Sequence, residues 1–261
     1  MERAIELPEL PLGPGTRVIG DLHLDVSGRG GDGLVAAFLA WIRGLRDVPR
    51  LIILGDLFDA WIGPAHLELP AARSVADALA ELVRGGTEVE IVPRNRDFLL
   101  EQRFERASGT RVRPAGLVGL GPTGERTLFL HGDELCTRDL AYQRLRRVLR
   151  SAPVQWSVPR IPRPVGLWIA RRLRRASVAA VAHKPSQDKA LQAPAAREQA
   201  ERNRCSTLVC GHAHVFRDEL LEGGPRWLVV GAFGAPKDVL VVGPGGSLEA
   251  LSDAEPRSVS P

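Results

Sequence analysis

The chain has 261 residues, 44% of them hydrophobic, which predicts a folded globular protein with one large core and excludes a disordered chain. No run of about 18 apolar residues occurs, so we expect no membrane-spanning helix, and the N-terminus lacks the pattern of a secretory signal. The cysteines, Cys136, Cys205 and Cys210, are few and odd in number, which excludes a disulfide framework and predicts a reducing compartment, the cytoplasm.

The positive charge is concentrated in one window. The net charge is +4, but residues 140–187 contain eleven Lys and Arg residues and no Asp or Glu, so the window carries +11 and the remainder −7. Such clustering predicts an anionic partner: nucleic acid, a phosphorylated ligand or a lipid surface. The alternative is a solvated, Arg-rich helical face, which explains scattered arginines better than a long acid-free window. No aromatic platform interleaves the arginines, so we expect no nucleic acid partner.

Alternating strand and helix patterns follow an irregular, Pro- and Gly-rich lead-in at residues 1–15. Short apolar runs bounded by turn residues predict strands, and apolar residues three and four apart predict helices. The strands are expected at 16–20, 51–54 and 88–92, and the helices at 34–46 and about 75–83. This β-α-β-α-β order predicts a layered α/β fold.

After residue 108 the pattern changes to short strands punctuated by Gly and Pro. The acid-free window is interpreted as mostly helical, and a helix at about 193–203 precedes closing strands at 207–210, 227–231 and 239–242. We therefore expect a core formed by 16–139 and 188–250, a basic helical cap at 140–187 and a disordered tail at 251–261.

Five segments share one pattern: an apolar strand, a Gly or Pro turn, and then side chains that ligate metals. Residues i and i+2 of an extended chain point the same way, so Asp21 with His23, and His212 with His214, are expected to present paired ligands. The candidate ligands are Asp21, His23, Asp56, Asn95, His131, His212 and His214. Seven ligands suit two ions that share a carboxylate, and we expect Asp56 to be the shared ligand. The mixture of imidazoles, carboxylates and an amide favours Mn²⁺, Fe or Zn²⁺.

Each of these segments alone has an ordinary alternative. A strand-end Asp is often a helix N-cap, and a single His is usually structural. The joint pattern is more specific, because four of the six histidines fall inside it in the expected order. His66 and His183 lie outside it, and we interpret His66 as incidental.

The five segments together resemble the motif blocks of the calcineurin-like metallophosphoesterases. Residues 95–100 and 131–143 resemble more narrowly the pyrophosphohydrolases of that superfamily that act on UDP-2,3-diacylglucosamine. The blocks are Gly20-Asp21-Leu22-His23, Gly55-Asp56-Leu57-Phe58-Asp59, Asn95-Arg96-Asp97, His131-Gly132-Asp133 and Gly211-His212-Ala213-His214. The resemblance implies a four-layer α-β-β-α sandwich with an inserted helical cap.

The resemblance also implies roles for the matching residues. Asp21, His23, Asp56 and His214 would hold one Mn²⁺, and Asp56, Asn95, His131 and His212 the other, with a water between the ions as the nucleophile. The implied catalytic residues are Asp56, Asn95, His131 and Arg96. The implied substrate contacts are Asn95, Arg96, Asp139, Ser177, Lys184 and His212.

Arg96 favours pyrophosphate cleavage. Many relatives have His at this position, where it can protonate an alkoxide leaving group, whereas Arg stays charged and is a poor general acid. Pyrophosphate hydrolysis expels a phosphate monoester, which needs little protonation, and Arg can bind its oxygens. The alternative is drift in a paralogue of relaxed specificity. Arg94 stands where the family usually has Gly, and a Cβ there is expected to strain the turn.

The implied reaction is hydrolysis of UDP-2,3-diacylglucosamine to 2,3-diacylglucosamine 1-phosphate (lipid X) and UMP in lipid A biosynthesis. The cap would hold the protein on the anionic inner face of the cytoplasmic membrane, and no obligate protein partner is implied. The cap's apolar residues would line an acyl chamber or dock on the bilayer, although each alone is better explained as cap core. They are Leu167, Trp168, Ile169, Leu173, Val178 and Val181. The alternatives are a phosphoesterase acting on another nucleotide or phospholipid, and a non-enzymatic surface-binding protein with a vestigial metal site.

Overall fold

A computed structural model describes most of the chain outside the basic window. The described residues are 6–27, 33–61, 63–93, 97, 100, 102–139, 143–144, 148, 151, 153–154, 165, 168, 172 and 190–252. Asn95, Arg96, Ser177 and Lys184 therefore lie outside the described residues, as does Arg94.

Outside the predicted cap, the described part of the chain contains short strands, four helices and two short 3₁₀ helices. The helices are α1 (Gly33–Gly44), α2 (Pro70–Arg84), α3 (Gln102–Ser108) and α4 (Ala193–Arg202), and the 3₁₀ turns are Pro64–Glu68 and Asp133–Leu135. The strands are β1 (Glu9–Pro11), β2 (Arg17–Gly20), β3 (Arg50–Leu54), β4 (Glu88–Ile91), β5 (Arg111–Val112), β6 (Leu117–Leu120), β7 (Arg126–Phe129), β8 (Thr207–Cys210), β9 (Arg217–Leu220), β10 (Arg226–Val229), β11 (Val239–Val242) and β12 (Leu248–Leu251).

The strands form two mixed sheets. Sheet A has the order β1-β6-β7-β8-β10-β9, and sheet B has the order β12-β11-β2-β3-β4-β5. Strands β2 to β5 are parallel, with Val18 opposite Ile52 and Ile53 opposite Ile91, and β7, β8 and β10 are also parallel to one another. The turns that follow parallel neighbours lie at one end of their sheet. This places the turns after β2 and β3 side by side.

Strand β3 shows how the layers form. Leu51 and Ile53 pack in the cluster that contains α1 and α2, whereas Ile52 and Leu54 pack between the two sheets. The side chains alternate because successive residues of a strand point to opposite faces. Both faces are covered, so the strand is apolar throughout.

A third apolar cluster lies on the outer face of sheet A. There Leu128, Leu208 and Trp227 pack with Ala196 and Ala200 of α4. The two sheets are thus enclosed by helices on both sides, and the predicted α-β-β-α sandwich is confirmed.

The expectation of an irregular lead-in is wrong at β1. Glu9–Pro11 pairs in parallel with β6, and the Val118 N–H donates to the Pro8 carbonyl at 2.9 Å. Proline tolerates this position because an edge strand uses donors on one side only. The tail boundary also shifts, because Leu251 is the last residue of β12, while residues 253–261 lie outside the description.

The predicted cap is described at scattered positions only. The described residues that are helical there are 143, 144, 148, 153, 154, 165, 168 and 172. The remainder of the +11 window lies outside the described residues. Within the part of the chain that is described, no helix is long and apolar enough to cross a membrane.

His66 belongs to a buried aromatic stack. Its ring lies 5.4 Å from that of Trp61, which stacks in turn on Phe58 at 4.7 Å, and His66 is 4% exposed. Burial disfavours the imidazolium and lowers the pKa of His66 to about 4. The residue is therefore structural, held neutral inside the core.

We predict that His66 makes folding stability depend on pH. Its pKa in the folded chain is below the unfolded value of about 6.5, so the unfolded chain takes up the proton first and stability falls as pH drops from 6.5 towards 4. The expected loss between pH 7 and pH 5 is about 2 kcal/mol. Urea unfolding of the EDTA-treated wild type and His66→Gln should show a flatter pH dependence in the variant. Equal slopes would contradict this assignment.

Candidate metal centre

Six of the seven predicted ligands are described, and they converge where the two sheets meet. Asp21, His23 and His214 place their ligand atoms within 4.8 Å of one another, and so do Asp21, Asp56 and His131. The His23 Nδ1 atom lies 3.6 Å from the Asp56 Oδ2 atom, so the two groups adjoin. Turns after β2 and β3 of sheet B and after β7 and β8 of sheet A supply these side chains.

The imidazoles meet in pairs. The Nε2 atoms of His23 and His214 are 3.1 Å apart, and His131 Nε2 lies 3.1 Å from His212 Nδ1. Two nitrogens that bind the same cation at about 2.1 Å, with an N–metal–N angle near a right angle, are roughly 3 Å apart. The nitrogens and carboxylates present therefore fit a divalent cation.

Five of these residues share an uncommon backbone conformation. The φ angles are +52° for Asp21, +49° for His23, +47° for Asp56, +72° for His212 and +61° for His214. Residues with a Cβ adopt the left-handed region at a cost of order 1–3 kcal/mol and do so mainly at functional sites. The backbone is thus strained at five ligand positions.

This conformation corrects one sequence-based argument. We expected Asp21 with His23, and His212 with His214, to pair because an extended chain places i and i+2 on the same side. All four residues have left-handed φ values, so the chain is not extended there. In each pair one residue of ordinary φ, Leu22 or Ala213, separates the two left-handed ligands. The spacing rule therefore identified the right residues on a wrong assumption about the backbone.

His131 is oriented by a backbone carbonyl. Its Nδ1–H donates to the Leu54 carbonyl at 2.8 Å, which leaves the Nε2 lone pair directed towards His212. Such a second partner fixes the tautomer of a ligating histidine. Gly55 makes this approach feasible, because a Cβ there would lie 2.5 Å from the His131 Nδ1 atom.

Asp21 is held from the opposite sheet. Its Oδ2 atom accepts the His212 N–H at 2.6 Å, while its Oδ1 atom lies 3.8 Å from His214 Nε2. A Cβ on Gly211 would lie 2.9 Å from the same Oδ2, so glycine is needed there. One carboxylate oxygen thus fixes the turn after β8, and the other faces the imidazole.

The site is graded from buried to exposed. Asp21 and Asp56 are 2% exposed and His131 is fully buried, whereas the His214 side chain is 49% exposed. Two buried carboxylates without a cation would be costly. The exposed His214 side leaves an opening through which a ligand can approach.

Neither group of converging ligand atoms in the described residues contains a cysteine. Burial raises the pKa of Cys136 to about 12 and that of Cys210 further, so both thiols stay protonated at neutral pH. The Trp227 Nε1–H contacts the Cys210 sulfur at 3.3 Å. The described centre therefore has nitrogen and oxygen ligands.

Asp139 lies in the turn after Asp133–Leu135 and is half-buried. Its N–H donates to the Cys136 carbonyl at 3.3 Å, and its own carbonyl accepts the Gln143 N–H at 2.9 Å. These bonds hold the chain where it enters the predicted cap. Its predicted contact with substrate stays a prediction.

Sequence reasoning missed the role of Asp97. This fully buried carboxylate accepts the Leu57 N–H at 2.8 Å, directly after Asp56. It therefore supports the strained turn that carries a ligand. The signal was an acid two residues after Asn95, within a block we had already singled out.

Three comparisons with known proteins find relatives of this chain. The family model for calcineurin-like phosphoesterase matches residues 16–216. A UDP-2,3-diacylglucosamine hydrolase from Shewanella piezotolerans is 34% identical over 217 residues, covering 83% of this chain and 89% of that protein. One from Aeromonas salmonicida is 37% identical over 237 residues, covering 88% and 90%. The crystal structure of a dimetal phosphatase from Danio rerio matches with a TM-score of 0.45 and 12% identity, covering 94% and 98%.

We predict that glycine is better tolerated than alanine at position 214 in the metal-free chain. Both variants remove the imidazole, but only alanine keeps a Cβ in the left-handed region, so His214→Gly should be more stable than His214→Ala by about 1 kcal/mol. Urea unfolding in EDTA measures the difference. Ala213→Gly is the matched control, because glycine at an ordinary φ should lower stability. Equal stability of the two position-214 variants would show that His214 is not strained.

Proposed function

The chain belongs to the calcineurin-like phosphoesterase family, and from that premise we propose that it hydrolyses the pyrophosphate bond of UDP-2,3-diacylglucosamine to lipid X and UMP. The convergence of six ligand residues carries the hydrolase part of this proposal. The names of relatives that align over more than four fifths of the chain support the substrate.

We infer that the site holds two divalent cations, with Mn²⁺ as the first choice and Fe or Zn²⁺ as alternatives. Asp21, His23, Asp56 and His214 would hold one, and Asp56, Asn95, His131 and His212 the other. Bound cations would make a water acidic and offset negative charge on phosphate oxygens. Asp56 is the bridging ligand in this assignment, which is supported by its contacts with residues of both sets: its Oδ2 atom lies 3.6 Å from His23 Nδ1, and it converges with His131.

The residues of the chain prepare the site before substrate arrives. His131 presents one lone pair because its other nitrogen donates to Leu54. The backbone N–H of His212 holds Asp21, so its carboxylate cannot rotate freely. This fixed arrangement avoids reorganisation during the reaction.

We propose substrate contacts for six residues. Arg96 would bind phosphate oxygens without acting as an acid, consistent with a phosphate monoester leaving group. The full set is Asn95, Arg96, Asp139, Ser177, Lys184 and His212.

We further propose that the cap docks on anionic membrane. Val165, Trp168 and Arg172 are spaced to share one helix face, where Trp168 is 55% exposed and Val165 is 46% exposed. The Arg172 guanidinium lies 5.7 Å from the centre of the Trp168 ring. An exposed Trp beside Arg in a basic segment is typical of a membrane interface. A cytoplasmic, peripheral location on the inner membrane face would place the enzyme beside its lipid substrate.

We predict Mn²⁺-dependent release of UMP from UDP-2,3-diacylglucosamine. Asp56→Asn should lower kcat/KM on the order of a thousand-fold, because several kcal/mol of charge stabilisation are lost with the cations. Asp77→Asn is the control, since Asp77 is an exposed carboxylate that pairs with Arg73 on α2, and it should be fully active. Cleavage of an aryl phosphodiester with no turnover of UDP-diacylglucosamine would instead support another nucleotide or phospholipid substrate.

We predict that Trp168→Ser weakens binding to vesicles containing phosphatidylglycerol by about ten-fold, since a large apolar ring no longer enters the interface. Co-sedimentation at two salt concentrations measures this, and binding should weaken as salt rises. Leu220→Ser is the matched control, because Leu220 is 81% exposed on strand β9 and outside the cap. Equal losses in both variants would argue against docking through the cap.

A further inference from the structure

Residues 231–238, here called the crossover loop, connect β10 of sheet A with β11 of sheet B and lie beyond the family match. The Ala232 N–H donates to the His214 carbonyl at 3.2 Å, and the Phe233 N–H donates to the Gly20 carbonyl at 3.3 Å. Gly20 directly precedes Asp21. One dipeptide therefore bonds to ligand-bearing turns from both sheets.

A buried carboxylate holds the shape of this loop. Asp238 is fully buried, and its Oδ2 atom accepts the Gly234 N–H at 2.8 Å. The Gly231 N–H donates to the Lys237 carbonyl at 3.1 Å, which closes the loop on itself. A Cβ on Gly231 would lie 2.7 Å from the Pro236 carbonyl oxygen, so the closure requires glycine.

An aromatic contact anchors the other side of the loop. Phe233 is 2% exposed, and its ring meets Phe38 and Trp41 of α1 edge-on at 5.8 Å and 5.6 Å. The backbone donors of residues 232 and 233 thus lie between the buried Asp238 carboxyl group and the buried Phe233 ring.

We propose that Asp238 is a positioning residue for the metal centre. By holding the crossover loop, it sets the distance between the turn that carries Asp21 and His23 and the turn that carries His214. The 3.1 Å approach of His23 to His214 joins residues of different sheets, and the crossover loop links the same two turns in addition to the bond between Asp21 and His212. The proposal rests on the proposed function for the binding of divalent cations, and it is independent of the substrate.

The test measures Mn²⁺ binding to the EDTA-treated full chain by calorimetry. Asp238→Ala should weaken Mn²⁺ affinity roughly ten-fold, as loss of supporting groups does in other metal sites. Asp238→Asn keeps an acceptor oxygen for the Gly234 N–H and should bind nearly as the wild type does. Turnover of Asp238→Ala should recover when Mn²⁺ is raised. Val75→Ala, in the buried face of α2, should lower Tm and leave the affinity unchanged.

The outcomes separate this inference from the proposed function. Wild-type affinity in Asp238→Ala, an equal weakening in Val75→Ala, or a wild-type chain that binds no Mn²⁺ would overturn it. If Asp238→Ala does not fold, Phe233→Leu, which loosens the other anchor, should show the same weakening, and unchanged affinity there overturns the inference. The wild type and Asp238→Asn could bind Mn²⁺ more tightly than Asp238→Ala in a protein that does not hydrolyse UDP-diacylglucosamine. That result would support the role of Asp238 and refute the proposed substrate.

Discussion

Two buried carboxylates at strand ends, those of Asp21 and Asp56, constrain the rest of the structure. Both lie in turns of sheet B and are 2% exposed, and negative charge at such depth requires donors or cations around it. Sheet A supplies several of the groups around these carboxylates. They are the N–H of His212 and the imidazoles of His131 and His214. The sandwich therefore serves the site as well as the core. The apolar layer between the sheets packs them together, and the two carboxylates require that the ligand-bearing turns of both sheets meet at the same end.

The strained turns are stabilised by backbone hydrogen bonds to the neighbouring turn. The His23 N–H donates to the Asp56 carbonyl at 2.7 Å, and the Asp21 N–H donates to the Gly55 carbonyl at 3.3 Å. These bonds extend the pairing of β2 with β3 beyond the strand ends, as far as the bridge between Leu24 and Phe58. Left-handed residues are stable where such bonds leave no better alternative. The core strands thus stabilise a backbone that the ligand side chains could not maintain alone.

The sequence predicted structure best where a residue type has a single physical explanation at its position. Strand β3 was predicted because both its faces are buried, and the ligand residues were found because imidazoles and carboxylates gather after strands. Edge strands were missed: β1 lies in a Pro-rich segment, and β9 is exposed along its length, so neither shows apolar alternation. Asp238 was missed because its role arises from a loop folded back on itself. The left-handed conformation of five predicted ligands was missed, because neither residue type nor spacing encodes φ.

The two halves of the site are far apart in sequence. The bonds that join Asp21 to His212 and His23 to His214 each span 191 positions. A ribosome therefore exposes Asp21, His23 and Asp56 long before His212 and His214 are made. During that interval the growing chain holds acidic ligands without the imidazoles of the fifth block or the crossover loop. Assembly of the full ligand set is thereby tied to synthesis of the chain as far as His214, so that a chain truncated before the fifth block carries only part of the centre.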